Sequence, residues 1–151
     1  MADAVTIYRG LGFALSYPAD WRRIDASPGW LTLVPRTSNT GPGGTAQAIV
    51  AVHELTEVRN IEEEVQRWAK TDPVVSRRTL HGRAPARGCG DIEEFVVSQQ
   101  VIGLAMRATN YACAISGKMY GLHLEAPAAD KNQSAYRAAA LAMMRSLRVV
   151  D

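Results

Sequence analysis

The chain has 151 residues, of which 47% are hydrophobic and 21% are charged, and its formal net charge is +2 at pH 7. This composition is typical of a globular protein, and the length predicts one domain over residues 1–151 that buries its own core. So small a net charge argues against nucleic acid or an anionic membrane as a partner. No run of eighteen apolar residues occurs, so no membrane-spanning helix is predicted.

Apolar residues repeat with the period of β-strands along most of the chain. Strands are predicted over residues 5–9, 12–17, 30–34, 47–52, 74–80, 92–101, 106–116 and 119–125. The first two form either a hairpin around residues 10–12 or one interrupted edge strand. Pro18 ends the second strand, and Trp21 is large enough to pin the following turn into the core. Residues 36–46 are rich in Gly, Pro, Ser and Thr and are predicted to form a loop.

Two helices are predicted from their caps and apolar stripes. Asn60 can cap the first helix, Glu63 can reach back to its start, and the Asp72-Pro73 pair ends it. The second helix is predicted over about residues 132–147. Its apolar stripe consists of Tyr136, Ala140, Met143 and Leu147. Strands, a helix, a run of antiparallel strands and a final helix together predict an α+β sandwich.

Three segments of the chain carry a pattern found in known proteins. They are residues 13–21 (FALSYPADW), residues 81–86 (HGRAPA), and residues 117–127 (GKMYGLHLEAP) followed by a helix and residues 144–149 (MRSLRV). In order and spacing they resemble the PsbP/Mog-like superfamily. The resemblance implies an α/β/α sandwich whose mostly antiparallel sheet is flanked by helices. The matching positions are structural, so no functional residue of any member can be placed on this sequence.

The function that the resemblance implies is non-catalytic binding. Members of the superfamily include an extrinsic photosystem II subunit, a Ran-binding nuclear factor, bacterial lipoproteins and Eag-type chaperones of type VI secretion effectors. The alanine- and arginine-rich composition is typical of a bacterial protein, and residues 8–9 and 19–21 resemble the start of the Eag-type chaperones. We therefore expect a protein-binding or accessory protein, in its most concrete form a homodimeric chaperone or adaptor that holds a hydrophobic segment of a secreted effector on its sheet face. The alternative is a small-ligand or metal-binding accessory domain of an exported protein or lipoprotein relative.

The N-terminus and the cysteines are both interpreted as features of a cytoplasmic protein. Residues 1–6 lack the basic and apolar regions of a secretion signal, and no lipobox cysteine stands near them. Cys89 and Cys113 form no CxxC pair and have no metal-ligand spacing, so a disulfide is not expected. Cys89 lies between two glycines and is predicted to be exposed at a turn.

No catalytic, cofactor-binding or metal-ligating residue is predicted. No nucleophile–base pair, carboxylate pair or metal motif occurs at a usable spacing. The His53-Glu54 pair lacks the second histidine of the HExxH zinc motif. His123 and Glu125 share one face of a strand, but no other histidine is near them in sequence, so a structural or surface role is expected. Residues 40–45 are glycine-rich but lack the lysine of a phosphate-binding loop, and they are interpreted as a connector.

Two groups of residues are predicted to bind a partner. The apolar group consists of Val96, Ile102, Leu104 and Met106. The basic group consists of Arg77, Arg78, Arg83 and Arg87. A sheet covered by only two helices can leave the apolar group open to a hydrophobic segment or a second subunit, the alternative being burial beneath a helix. The basic group can bind an acidic partner or a phosphate, the alternative being a solvated hairpin whose charge is balanced by nearby acids. Those acids are Asp91, Glu93 and Glu94.

Overall fold

The structure, a computed structural model, describes residues 4–24, 28–35 and 48–150. The strands are β1 (Val5–Gly10), β2 (Phe13–Pro18), β3 (Arg22–Ile24), β4 (Leu31–Val34), β5 (Ile49–Glu54), β6 (Val74–Leu80), β7 (Ile92–Val101), β8 (Leu104–Ile115), β9 (Lys118–Pro127) and β10 (Arg148–Val149). The helices are α1 (Ile61–Ala69), between β5 and β6, and α2 (Gln133–Ser146), between β9 and β10. The predicted loop over residues 36–46 and the glycine-rich segment within it lie outside the described residues.

The strands form two sheets in which every described pairing is antiparallel. The larger sheet has seven strands in the order β3-β4-β5-β9-β8-β7-β6, and the smaller has three in the order β1-β2-β10. Tyr111 of β8 packs in the core that contains α2, whereas Ala108 of the same strand packs against α1. Residues an odd number of positions apart on a strand face opposite sides, so the two helices flank the large sheet. The predicted α+β architecture is therefore confirmed.

Two-residue turns close three of the hairpins. Leu11-Gly12, Ile102-Gly103 and Ser116-Gly117 all have positive φ, from 50° at Ile102 to 83° at Gly12. Two successive residues of positive φ match the twist of the flanking strands, and glycine occupies such a position without a steric cost. The first turn shows that residues 5–17 form the hairpin rather than one interrupted strand.

The helices begin and pack as their sequences predict. The Asn60 side chain accepts a hydrogen bond from the Glu63 amide at 2.9 Å, and the Glu63 carboxylate accepts one from the Arg59 amide at 2.8 Å. The first bond satisfies an amide that the first helical turn leaves without a partner, and the second ties the residue before the cap to that turn. The apolar stripe of α2 is buried along its whole predicted length. Neither described helix is long and apolar enough to cross a membrane.

The structure contradicts the prediction of free cysteines. Cys89 and Cys113 form a disulfide, and both lie in the core beside α2, with exposures of 1% and 0%. The register of β7 and β8 explains why the two cysteines lie within bonding distance. Glu93 pairs with Ala112, so the segment just before β7 is held next to Cys113 of β8. The prediction that Cys89 is exposed at a turn is therefore wrong as well. The antiparallel pairing, rather than the local sequence, decides where Cys89 lies.

The two faces of the large sheet are covered unequally. Helix α2 and the smaller sheet pack on one face and build the main core. On the other face, α1 contacts β7 and β8. A helix is about 10–12 Å across with its side chains, whereas seven strands span about 29 Å between the first and the last. A single helix over β7 and β8 therefore leaves β4 and β5 uncovered by any described helix, and this uncovered half carries the candidate site.

Candidate functional site

A cavity of about 220 Å³ opens on the uncovered half of the sheet, and we call it the tryptophan cleft. It is lined by Trp30, Thr32, Ile49, Ala51, Arg67, Trp68, His123 and Glu125. Trp30 precedes β4 and Trp68 lies in α1, so one tryptophan comes from the sheet and the other from the helix. A second cavity of about 110 Å³ lies next to it, with Trp30 and Arg67 lining both.

The floor of the cleft is a cross-strand row of the sheet. Thr32 of β4 pairs with Ala51 of β5, Ala51 pairs with His123 of β9, and His123 pairs with Asn110 of β8. Residues paired in this way point to the same side of a sheet. The small side chain of Ala51 leaves room for the cleft above β5, beside the ring of His123.

Two histidines are buried at the base of the cleft. The Nε2 atoms of His53 and His123 are 2.9 Å apart, although 70 residues separate them in sequence. The Trp30 ring stacks on His53 at 4.1 Å and 5°, and the Trp68 ring centre lies 5.3 Å from that of His123. We call these four residues the histidine–tryptophan cluster. Of the two roles expected for His123, structural or surface, the surface one does not apply, because this side chain is only 6% exposed and has His53 as its partner.

Both histidine pKa values are lowered by the surroundings. Burial lowers the pKa of His53, and the neighbouring Arg67 guanidinium adds to this effect. Burial also lowers the pKa of His123 to about 3, with further contributions from His53 and Arg67. Removing a charged imidazole from water is costly, so the electrostatics of this region oppose positive charge on either ring.

Acidic side chains surround Arg67, the one arginine of the described residues that lines the cleft. Arg67 forms ion pairs with Glu64 at 2.9 Å and with Glu57 at 3.2 Å, and the Trp68 indole donates to Glu64 at 3.4 Å. Glu64 is buried, so it fixes both Arg67 and Trp68 from within α1. Glu125 is half-buried, and burial raises the pKa of its carboxyl group. Within residues 4–24, 28–35 and 48–150, the Glu125 carboxylate has no hydrogen bond or ion pair.

The apolar residues predicted to bind a partner do not form one surface. Val96 pairs with Thr109 and faces the α2 side, whereas Met106 lies on the α1 side, two residues from Ala108. Val96 and Met106 are buried, Leu104 is half-buried, and Ile102 is fully exposed at the tip of the β7–β8 hairpin. Opposite faces of a strand cannot contact one partner surface. A partner-binding role for these four residues stays a prediction.

The predicted basic group is divided between ion pairs and an exposed connection. Arg77 contacts Glu93 and also forms an ion pair with Glu62 at 2.8 Å. Arg78 forms an ion pair with Glu94 at 2.7 Å. Both arginines lie on β6 and pair with two of the acids expected to balance the charge of this hairpin, and their role in binding a partner stays a prediction. Two others, Arg83 and Arg87, are exposed between β6 and β7, and their role in binding stays a prediction.

Glu94 forms a second polar cluster, on the α2 side of the sheet. Its carboxylate accepts hydrogen bonds from Tyr111 at 2.8 Å, from Arg78 at 2.7 Å and from Arg137 at 3.1 Å. Burial by itself would raise the pKa of Glu94, but these donors outweigh it and hold the pKa below its ordinary value. Because the Glu94 carboxylate already accepts from three donors of the protein, we interpret this cluster as structural.

The candidate site is not one of the motifs that were sought in the sequence. Among the described residues, no group of three or more His, Cys, Asp or Glu side chains could hold a metal ion by itself. The histidine–tryptophan cluster could not be predicted, because its members come from three strands or strand ends and one helix. The only sequence signal for the cluster was weak. Each histidine stands two positions from a small residue on the same face of its strand, Ala51 for His53 and Gly121 for His123.

Comparison of the sequence with family models and with curated proteins finds no match. Solved structures do match. A protein from Bacteroides thetaiotaomicron has a TM-score of 0.58 and 14% identity over 100% of this chain, which spans 50% of that protein's chain. Cyanobacterial PsbP (CyanoP) from Synechocystis has a TM-score of 0.56 and 12% identity, with 99% of this chain and 95% of that chain covered.

A third structure is LpqN from Mycobacterium tuberculosis, a protein involved in cell envelope biogenesis. It has a TM-score of 0.55 and 15% identity, with 100% of this chain and 87% of that chain covered. Identities this low establish the fold alone, since one fold supports many functions. The chain has a PsbP-like α+β fold, in which two helices flank a large antiparallel sheet.

Proposed function

We propose that this protein is a non-catalytic accessory protein that binds its ligand in the tryptophan cleft. The observation that carries the proposal is a concave site on the uncovered half of the sheet, lined by two tryptophans and by Glu125, whose carboxylate has no partner among the described residues. Ligand sites are commonly apolar clefts with a few converging polar groups. The neighbours of the same fold include an envelope protein and PsbP, which agrees with an accessory role.

The hydrogen bonding of the two histidines supports binding rather than catalysis. Each imidazole has one nitrogen near the other imidazole and one near a fixed oxygen. A general base needs a nitrogen within reach of a substrate proton. As arranged here, both nitrogens of each ring face protein groups, so the proposal gives neither histidine the role of a general base.

The chemistry of the cleft favours a ligand with a flat or apolar body and a cationic group. Trp30 is 44% exposed, so its indole is available for stacking, and aromatic faces attract cations. Glu54 and Glu57 line the smaller cavity, Glu125 lines the tryptophan cleft, and Glu64 pairs with Arg67. Among the described residues, Arg67 is the one arginine that lines either cavity. A cationic group would give Glu125 the partner that it lacks within the described residues.

Such a cationic group can belong to a small molecule or to a lysine or arginine of a partner protein. The more specific form of the proposal is a chaperone or adaptor that holds a segment of a secreted effector, with a homodimer as the binding unit. The exposed Ile49 beside Trp30 supports an apolar contribution from such a segment. The disulfide supports an oxidising compartment rather than the cytoplasm expected from the sequence, because disulfides persist outside reducing compartments.

The test is a small-molecule screen observed by two-dimensional NMR of the protein, with cationic, neutral and anionic aromatic compounds in equal numbers. We expect cations to shift the indole signals of Trp30 and Trp68 but not that of Trp21, which packs against Tyr136 on the α2 side. Glu125→Gln should weaken cation binding about tenfold, the loss expected for one charge-assisted contact. Asp20→Asn is the control, because this carboxylate is exposed in the turn after β2 and lines neither cavity.

A second experiment separates a small ligand from a protein partner. The tagged protein is purified from its source organism, in parallel with the Glu125→Gln variant, and the recovered proteins are identified by mass spectrometry. A partner recovered in stoichiometric amount with the parent protein but not with the variant supports the chaperone or adaptor form.

Two outcomes of the NMR screen would contradict the proposed site. One is that anionic compounds shift the indole signals, and the other is that cations shift only the signals of residues outside the cleft.

A further inference from the structure

The hydrogen bonds of His53 and His123 fix where each ring carries its proton. Nδ1 of His53 lies 2.9 Å from the carbonyl oxygen of Glu54, and a carbonyl can only accept. Nδ1 of His123 lies 2.6 Å from Oδ1 of Asn110, whose Nδ2 donates to the carbonyl of Ala108. That second bond fixes the orientation of the amide, so Oδ1 faces the ring as an acceptor. Both Nδ1 atoms therefore donate.

With both Nδ1 atoms protonated, the two neutral rings direct Nε2 lone pairs at each other across 2.9 Å. Two lone pairs at that separation repel unless a positive species lies between them. A neutral histidine whose other nitrogen donates to a carbonyl or an amide oxygen is the arrangement that metal-binding histidines adopt. We propose that His53 and His123 bind a divalent transition-metal ion, with Zn²⁺ as the reference case, through their Nε2 atoms.

Accepting the ion requires the two rings to separate slightly and to turn. Zinc–nitrogen bonds of 2.0–2.1 Å in a tetrahedral site place two ligand nitrogens about 3.3 Å apart. The Nε2 atoms must therefore separate by about 0.4 Å from their distance of 2.9 Å, and each ring must turn by roughly 35° so that its lone pair points at the ion instead of at the other nitrogen. The side chains belong to adjacent strands, β5 and β9, which keep both rings within reach of one ion. Trp30 stacks on the His53 ring and supports it from one side.

The two cavities give the ion a path and free coordination positions. His53 lines the cavity of about 110 Å³, and His123 lines the tryptophan cleft, so the pair can be approached from either side. Since no third His, Cys, Asp or Glu of the described residues completes a cluster, the remaining positions fall to water or to a donor atom of a bound ligand. Open positions of this kind are typical of metal ions that bind exogenous molecules. Glu57 and Glu64 offset the charge of Arg67 nearby.

The test is calorimetric titration of Zn²⁺ into the tag-free, disulfide-bonded protein. Both cysteines are in the disulfide, so no thiol competes for the ion. We expect one ion per chain, with affinity lowered more than tenfold in His53→Gln and in His123→Gln. Asn110→Ser should weaken binding by roughly 10–100-fold, the effect typical of an outer-shell partner. His81→Gln is the matched control, because His81 is exposed and pairs with Asp91 on a different part of the sheet.

A measurement on the unaltered protein guards against variants that fail to fold. Long-range ¹H–¹⁵N spectra of the histidine rings should show the Nε2 signals of His53 and His123 shifting on Zn²⁺ addition while both Nδ1 atoms stay protonated. No binding at stoichiometric Zn²⁺, binding removed by His81→Gln alone, or Nε2 signals that respond to pH but not to Zn²⁺ would overturn the proposal. This inference does not rest on the proposed function, because cation binding in the cleft is measured with a chelator present.

Discussion

The disulfide allows a quantitative prediction about stability. Cys89 and Cys113 are 24 residues apart, so the bond closes a loop of about 25 residues in the unfolded chain. The chain-entropy relation gives an unfolding free energy larger by about 3.5 kcal/mol with the bond than without it. For a domain of this size, that corresponds to a fall of roughly 7–14 °C in melting temperature on reduction.

The assay is urea unfolding followed by circular dichroism, with and without a phosphine reductant. The Cys89→Ala/Cys113→Ala double variant is the control, since a reductant cannot change its covalent structure. We expect the unfolding midpoint of the parent protein to fall on reduction, and that of the double variant to stay constant. Because both sulfurs are buried beside α2, reduction of the native protein should also be slow.

The result that would refute this reasoning is a reduced protein whose unfolding free energy lies within about 1 kcal/mol of the oxidised one. That outcome would mean that the bond does not constrain the unfolded chain, or that the cysteines are unpaired in solution. Mass spectrometry of the alkylated, unreduced protein separates these two cases, because free thiols add two alkyl groups per chain.

Three further predictions concern local features of the fold. Ile102 is fully exposed and holds a φ of 50°, which asparagine adopts more easily than a β-branched residue. Ile102→Asn should therefore raise the unfolding free energy by about 1 kcal/mol in urea titrations. A lower unfolding free energy in the variant would mean that Ile102 packs against another group in solution. Asn60→Ala should lower the unfolding free energy by about 1 kcal/mol in the same assay, because it removes the acceptor for the Glu63 amide. An unchanged unfolding free energy would contradict the capping role of Asn60. Glu94→Gln should cost about 2 kcal/mol at pH 7, since three donors lose a charged acceptor. The pKa of Glu94 is depressed on folding, so its contribution is present above its ordinary pKa of 4.5 and is lost as the pH falls through the folded value. The parent protein should therefore lose more stability than Glu94→Gln between pH 6 and pH 3, and equal losses would show that Glu94 is not stabilised as a carboxylate.

Most of the secondary structure could be predicted because its signals are local. The strands over 74–80 and 92–101 have the predicted bounds, and the turn at Gly117 and the cap at Asn60 were recognisable from single residues. The strands β3 and β10 were missed because three and two residues are too few to show a period. Burial of the apolar group was left open, since periodicity shows that a strand has two faces but not what covers them.

The candidate site could not be predicted in the same way. A search for metal or catalytic motifs looks for neighbours in sequence, whereas the histidine pair depends on β5 lying beside β9. The cleft depends on which strands α1 covers, which is a property of the assembled fold. The ion pairs of Arg77 and Arg78 were accessible from sequence because β6 and β7 are consecutive strands.

The sequence by itself determined most of the strands, the two helices, the cap of α1 and the turn at Gly117, because alternation, glycine and capping residues act over a few positions. Only the tertiary structure decided the disulfide, the pairing of His53 with His123 and the tryptophan cleft. The physical reason is that strand order and register place residues within bonding distance across 24 or 70 positions of chain. Those contacts follow from how the sheet is assembled and covered, and no local pattern specifies them.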